Sequence, residues 1–221
     1  PVVNLDLQNK SVTLADKRTF TGRSIVLATG VRRRRLGITG EAKFEGRGVL
    51  RSGVAEKASV AGKRVVIVGG GDAALENAII LSETASSVTI VHRRNEFLAR
   101  EDFLSRAEQK PNIDFMKNTA IEAINGDDRV RSISISTDSG LIAEVPTDFV
   151  LVRIGVIPNN ELFADTLKTD PHGYVIVDSQ AETSVDDIFA VGDIANPIAP
   201  TISTATGTAA TAIKTIESKS N

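Results

Sequence analysis

Lys63-Arg64-Val65-Val66-Ile67-Val68-Gly69-Gly70-Gly71-Asp72-Ala73-Ala74 is the stretch whose reading decides the fold. Its first half is apolar after two basic residues, the pattern of a strand buried on both faces of a parallel sheet. Its second half fits G-x-G-x-x-A. Beyond it Ala73, Ala74, Ala78, Ile79 and Leu81 fall at helical spacing within residues 72–84, and Ser87-Val88-Thr89-Ile90-Val91 reads as the next strand. A strand, a glycine turn, a helix and a second strand in that order require a parallel pair joined by a right-handed crossover.

The glycines have a chemical reading as well. Gly69 permits a tight turn, Gly71 lets a pyrophosphate approach the backbone, and Ala74 lets the helix pack closely on the strand. With Gly70, Asp72 and Ala73 they form the start of a helix whose free N–H groups and dipole favour a phosphate. The second strand ends in His92-Arg93-Arg94 with no carboxylate at the position that would bond the ribose hydroxyls of NAD. Two guanidiniums there suit a 2′-phosphate, so the reading is NADP(H) over NAD(H). A solvated basic face is the plainer alternative, with Glu96 close enough to offset part of the charge. His92 reads as a phosphate or ribose contact or as a strand-end residue, since no nucleophile here needs a base.

Outward from this unit, the chain of 221 residues has 41% hydrophobic and 24% charged residues and a formal charge of -2. That is ordinary for a folded protein of one large or two small domains. The charge balance argues against nucleic acid, and no apolar run is long enough for a membrane span. With no cysteine and only His92 and His172 as histidines, the chain offers no disulfide, thiolate or His-rich metal site. His172 reads as solvated in the turn Asp170-Pro171-His172-Gly173. No signal peptide is visible, which gives the cytoplasm as compartment.

Val2–Leu7 and Ser11–Leu14 read as a hairpin and Ser24–Ala28 as a short buried strand. Val31–Arg35 reads as a basic linker. A helix is expected over 100–109 and a strand over 113–116. Antiparallel strands are expected over 119–135 and 141–145 around Asn125-Gly126-Asp127-Asp128. Asp148–Val152, Tyr174–Val177 and Ile188–Val191 read as strands. Residues 203–217 read as a helix with Ile202, Ala205, Ala209, Ile213 and Ile216 near one face. The layout suggests a middle domain, 34–156, inserted between 1–33 and 157–221.

Ala28-Thr29-Gly30 after one short strand and Val191-Gly192-Asp193 after another are separated by the whole inserted unit. In that order they resemble the thioredoxin reductase group of two-domain flavoproteins, a class II pyridine nucleotide-disulphide oxidoreductase type, over essentially the whole chain. The resemblance implies an α/β fold: a Rossmann-like three-layer NAD(P)-binding domain inserted in a partial FAD-binding Rossmann-like domain. It implies that Ala28, Thr29 and Gly30 end the first part of the FAD domain. Asp193 after Gly192 would contact the ribityl and pyrophosphate region. A helix beginning near Thr201 and Ile202 would point its N-terminus at the flavin ring. Ile154-Gly155-Val156-Ile157-Pro158-Asn159 resembles the return crossing, with Ile154 and Gly155 beside the nucleotide. The family is commonly homodimeric.

Two departures modify what the resemblance implies. Matched without gaps, Ser52 and Ala55 stand where the family has the two cysteines of its Cys-x-x-Cys, and neither can relay electrons as a dithiol. The family's FAD domain also opens with its own glycine motif, so roughly 85–90 residues are expected before Val2 by the size of a nucleotide-binding half. The function expected is hydride transfer from NADPH to FAD and onward to a redox partner protein or a small-molecule acceptor. Candidate acceptors are a ferredoxin or flavodoxin, a quinone, a small disulfide or oxygen. The alternative is an NADP(H)-binding module, or a proteolytic core fragment, with no FAD and no catalysis of its own.

Overall fold

The structure is a computed structural model that describes residues 1–140 and 142–219. Leu141, the first residue of the strand expected over 141–145, and Ser220 and Asn221 lie outside the described residues. In chain order the elements are β1 (Val2–Asp6), β2 (Ser11–Leu14), β3 (Thr19–Thr21), β4 (Ile25–Leu27), β5 (Val31–Arg33) and β6 (Val49–Leu50). Then come β7 (Arg64–Val68), α1 (Asp72–Ser82), β8 (Ser87–Val91), α2 (Glu101–Glu108), β9 (Ile113–Met116) and β10 (Thr119–Gly126). The chain ends with β11 (Val130–Thr137), β12 (Ile142–Pro146), β13 (Phe149–Val152), β14 (Val156–Pro158), β15 (Ile188–Ala190) and α3 (Ile202–Lys219). The contacts divide the chain into two compact units, Pro1–Arg32 with Val156–Asn221, and Arg33–Gly155.

The Arg33–Gly155 unit has three layers. Its central sheet runs β6-β13-β7-β8-β9 with every pair parallel. Side chains alternate across a strand, and the alternation assigns the two faces. Val65 and Ile67 of β7, Val88 and Ile90 of β8 and Leu151 of β13 pack with Leu75, Ala78 and Leu81 of α1 in one cluster. Val66 and Val68 of β7 and Val150 of β13 pack with Ile121, Ile124, Ile133 and Ile135 of the antiparallel sheet β10-β11-β12 in another. Both faces of the parallel sheet are therefore covered, as its apolar run requires. The third layer is a sheet, whereas a doubly wound fold would put helices there.

One charged staple fixes the register of the two central strands at their starts. Asp148 accepts from the Arg64 N–H at 2.9 Å and from Arg64 Nε and Nη2, each at 3.1 Å. The Arg64 guanidinium holds the Asp148 carboxyl below its ordinary range.

The other unit carries the antiparallel sheet β1-β2-β3 and two short pairs, β4 parallel to β15 and β5 beside β14. Its core gathers Leu7, Leu27, Phe163, Leu167, Ile188 and Ala190, with Phe189, Val191 and Ala212 in a second cluster. Three readings are corrected here. The basic run Val31–Arg35 is a strand over its first three residues, because β14 supplies a partner that the local sequence does not announce. Tyr174–Val177 is not a strand: Val175 makes one isolated bridge with Thr169 and sends its N–H to the Ile194 carbonyl at 3.0 Å. The buried face of α3 is Ala212 and Thr215 with Ala209 and Ile216 against it, while Ile202 and Ile213 are 88% and 49% exposed.

Candidate functional site

The carboxyl end of β7 carries the glycine turn, at the edge where open parallel sheets bind ligands. Each glycine has its own reason. Gly69 has φ +147°, and a Cβ there would lie 2.1 Å from the Arg153 carbonyl oxygen and 3.2 Å from the Ala74 Cβ. Only a residue without a side chain fits between β13 and α1. Gly70 would drive a Cβ into the His92 ring at 2.4 Å. Gly71 is the N-cap of α1, has no side-chain cap, and meets nothing within 4 Å on the side where a Cβ would stand. The Gly71 carbonyl already accepts from the Ala74 and Leu75 N–H groups, so the amides just before them face outward from the helix as donors. Open space over a helix N-terminus with the dipole behind it is a cradle that fits a diphosphate.

Asp72 and Ala73 begin the helix, but the Asp72 carboxylate is engaged. It accepts from the Arg100 N–H at 2.8 Å and from Arg100 Nε at 2.9 Å. Those contacts, the backbone one foremost, hold its carboxyl below the ordinary range. The Gly70 carbonyl accepts from the Leu98 and Ala99 N–H groups at 2.7 and 3.1 Å. The segment after β8 is thus tied down over the turn. Sequence reading missed this tie, because Asp72 and Arg100 are 28 residues apart and no local signal joins them.

The structure brings His92, Arg93 and Arg94 to the end of β8, beside the glycine turn. His92 is 8% exposed, stacks on Phe97 with centroids 5.1 Å apart, and pairs Nε2 with the Glu96 carbonyl at 3.0 Å. Burial lowers its pKa, and the neighbouring arginines lower it further. The imidazole is a neutral floor under Gly70. Arg93 and Arg94 are exposed, and neither guanidinium has an acceptor among the described residues.

On the other side of β7 lies the end of β13. The Arg153 N–H donates to the Val68 carbonyl at 2.7 Å, which brings Ile154 and Gly155 to the same sheet edge. Sequence reading did not single out Arg153. It is half-buried, and its guanidinium donates to the carbonyls of Val152 at 2.8 Å and Arg51 at 3.2 Å. Burial and the nearby Arg33 push its pKa down to about 10, with Glu56 acting in the opposite direction.

Ser52 and Ala55 sit in a closed turn after β6. The Glu56 carboxylate accepts from the N–H groups of Arg51 and Ser52, both at 2.7 Å, and Ser52 Oγ accepts from the Ala55 N–H at 3.3 Å. A Cβ on Gly53 would lie 2.1 Å from Asn77 Oδ1, so the turn lies flat on α1.

The remaining residues belong to the other unit. β4 and β15 are parallel neighbours, so Ala28-Thr29-Gly30 and Gly192-Asp193 emerge side by side at their carboxyl ends. Asn159 ties the first of these turns: its Nδ2 donates to the Thr29 carbonyl at 2.8 Å and its N–H to the Gly30 carbonyl at 3.0 Å. Gly192 has φ +70°, and its N–H donates to Thr208 Oγ1 on α3 at 3.1 Å. Asp193 is half-buried in the short 3-10 turn that follows β15. Thr201 caps α3 by accepting the Thr204 N–H at 3.2 Å, and Ile202 opens the helix fully exposed.

The chain matches the family described as Pyridine nucleotide-disulphide oxidoreductase over residues 1–214. It is 38% identical over 200 residues to the thioredoxin reductase of Listeria innocua serovar 6a, covering 90% of this chain and 62% of that protein. It is 33% identical over 215 residues to the thioredoxin reductase of Bacillus subtilis strain 168, covering 96% and 68%. The Listeria comparison thus spans less than two thirds of that relative's length. Among solved structures, Lactococcus lactis thioredoxin reductase in its FR conformation superposes with a TM-score of 0.81 at 32% identity, covering 92% of this chain and 68% of that one. Thioredoxin reductase of T. acidophilum superposes with a TM-score of 0.82 at 27% identity, covering 98% and 72%.

Proposed function

The chain belongs to the Pyridine nucleotide-disulphide oxidoreductase family, and from that membership we propose that it works in an NADPH-dependent FAD oxidoreductase of the thioredoxin reductase-like type without a redox-active dithiol. The observation that carries the nucleotide half is the open helix N-terminus at Gly71 with the guanidiniums of Arg93 and Arg94, which have no acceptor among the described residues, at the next strand end. Gly69, Gly70, Gly71 and the free first amides of α1, at Asp72 and Ala73, receive the diphosphate, while Ala74 closes the turn with its N–H on the Gly71 carbonyl. Arg93 and Arg94 hold the 2′-phosphate by charge-assisted hydrogen bonds. His92 supports the turn from beneath, and Ile154 and Gly155 border the nicotinamide half.

When bound, the reduced nicotinamide supplies a hydride and the flavin takes it and passes the electrons on. Asp193 and the ordered turns at Ala28-Thr29-Gly30 and Gly192 support FAD binding in the other unit, at the carboxyl ends of two parallel strands. The start of α3, at Thr201 and Ile202, directs its dipole outward, and that end of a helix stabilises negative charge.

The acceptor follows from what stands at Ser52 and Ala55. Side chains with no sulfur, in a turn closed by Glu56, cannot accept electrons from a flavin and exchange them with a protein disulfide. The electrons go instead to an external acceptor: a ferredoxin or flavodoxin, a quinone, a small disulfide or oxygen. On this reading the protein acts in the cytoplasm as a homodimer. Among the described residues no helix is long and apolar enough to cross a membrane.

Anaerobic mixing of the flavin-loaded protein with NADPH tests the proposal. Bleaching of the flavin band is expected, faster with NADPH than with NADH. A flavin band that persists overturns hydride transfer, and a colourless protein that still binds NADPH leaves only a nucleotide-binding module.

A further inference from the structure

We propose that Arg153 is a coenzyme-binding residue for the nicotinamide-side half, the phosphate and ribose beyond the glycine turn; this rests on the NADPH reading above. The strand order makes the argument. Arg93 and Arg94 follow β8, the glycine turn follows β7, and Arg153 follows β13, which is the neighbour of β7 on the side away from β8. Adjacent strands are about 4.8 Å apart. A dinucleotide whose 2′-phosphate is held at β8 and whose diphosphate is held at β7 continues in the same direction over the end of β13.

Arg153 is the cationic side chain at that strand end. Its backbone is fixed twice beside the turn, by the N–H bond to the Val68 carbonyl and by the contact that only glycine permits at position 69. Its guanidinium spends donors on the carbonyls of Val152 and Arg51. A guanidinium has five N–H donors, so others remain for an oxygen ligand. Among the described residues no carboxylate forms an ion pair with it; the Arg33 charge disfavours its protonated form, and Glu56 acts in the opposite direction. A half-buried cation with no carboxylate in ion-pair contact is stabilised by an arriving anion, and a diphosphate is one.

The carbonyl contacts alone would make Arg153 a brace for the 51–56 turn, and the experiment separates the two roles. Isothermal titration compares NADPH with adenosine 2′,5′-bisphosphate, which carries the adenosine half but neither the second phosphate nor the nicotinamide ribose. In R153Q the affinity for NADPH should fall about tenfold or more while the bisphosphate stays within twofold. Unchanged NADPH affinity, or equal losses for both ligands, overturns the proposal. The unmodified protein gives a second reading. Its Arg153 Nε–H resonance, identified by its disappearance in R153K, should shift with NADPH and stay in place with the bisphosphate. A resonance that moves with neither ligand, or equally with both, also overturns it. If the unmodified protein binds neither ligand, the NADPH reading itself has failed and this proposal with it.

Discussion

The His92 imidazole lies so close beneath Gly70 that a Cβ on the glycine would stand 2.4 Å from the ring. The ring cannot retreat easily, because Phe97 stacks on one side and the Glu96 carbonyl holds Nε2. The middle glycine of the turn is therefore required by packing within the protein. G70A should destabilise the fold by about 1–3 kcal/mol, the usual range for overpacking a buried site. H92A in the same chain removes the obstacle, so G70A/H92A should recover part of the loss. Urea unfolding of the two single variants and the double variant measures the coupling. Strictly additive effects would contradict the contact.

The same burial makes His92 a source of pH dependence. Its folded pKa lies below the unfolded value, so the unfolded chain binds the proton first. Its contribution to stability is complete above the unfolded pKa of about 6.5. It is lost as pH falls from there towards the folded pKa. The slope from one group cannot exceed about 1.4 kcal/mol per pH unit. Unfolding free energy measured from pH 8 to 5 should fall more steeply for the unmodified protein than for H92L. Parallel curves would show that the imidazole does not titrate differently in the two states.

The central βαβ unit was legible because its signals are local. Val65–Val68 alternates between two covered faces, and the turn and the helix follow within a few residues. What the sequence hid depends on distant partners. Arg153 becomes part of the sheet edge only because β13 inserts between β6 and β7. Asp72 reads as a helix-start residue open to a ligand, yet Arg100 occupies its carboxylate. Val31–Arg33 pairs only because β14 returns beside it. In α3, Ile202 and Ile213 fit a helical stripe by spacing, but the surface that Phe189 and Val191 present selects Ala209, Ala212 and Ile216. Apolar side chains can satisfy a period without being the ones that are covered.

Arg93 and Arg94 give a prediction about coenzyme choice. Neither side chain has a protein acceptor among the described residues, so removing them should leave stability within about 0.5 kcal/mol, as for most surface changes. Hydrogen bonds to a charged group contribute about 1.5–3 kcal/mol. R93S/R94S should weaken NADPH binding at least tenfold and leave NADH binding within about threefold. Fluorescence titration with both coenzymes at fixed ionic strength reads the ratio. If both affinities fall together, the arginines supply a general field and no 2′-phosphate recognition.

Gly69 and Gly71 should separate folding from binding, because an added methyl meets the protein at one and open space at the other. In G69A the methyl would approach the Arg153 carbonyl to 2.1 Å, on a backbone with φ +147° that L residues rarely adopt. Stability and coenzyme affinity should both drop. In G71A nothing lies within 4 Å, and the extended backbone of this N-cap is open to alanine. Replacing a capping residue by alanine costs about 1 kcal/mol or less where no side-chain bond is lost. The melting temperature should therefore move by only a few degrees while NADPH affinity falls by about tenfold or more, since the methyl stands where the diphosphate must approach the helix amides. Calorimetric melting beside isothermal titration checks both quantities. A G71A protein that keeps full affinity for NADPH would show that the coenzyme does not enter over this turn, and it would remove the structural basis for assigning Arg93, Arg94 and Arg153 to one ligand.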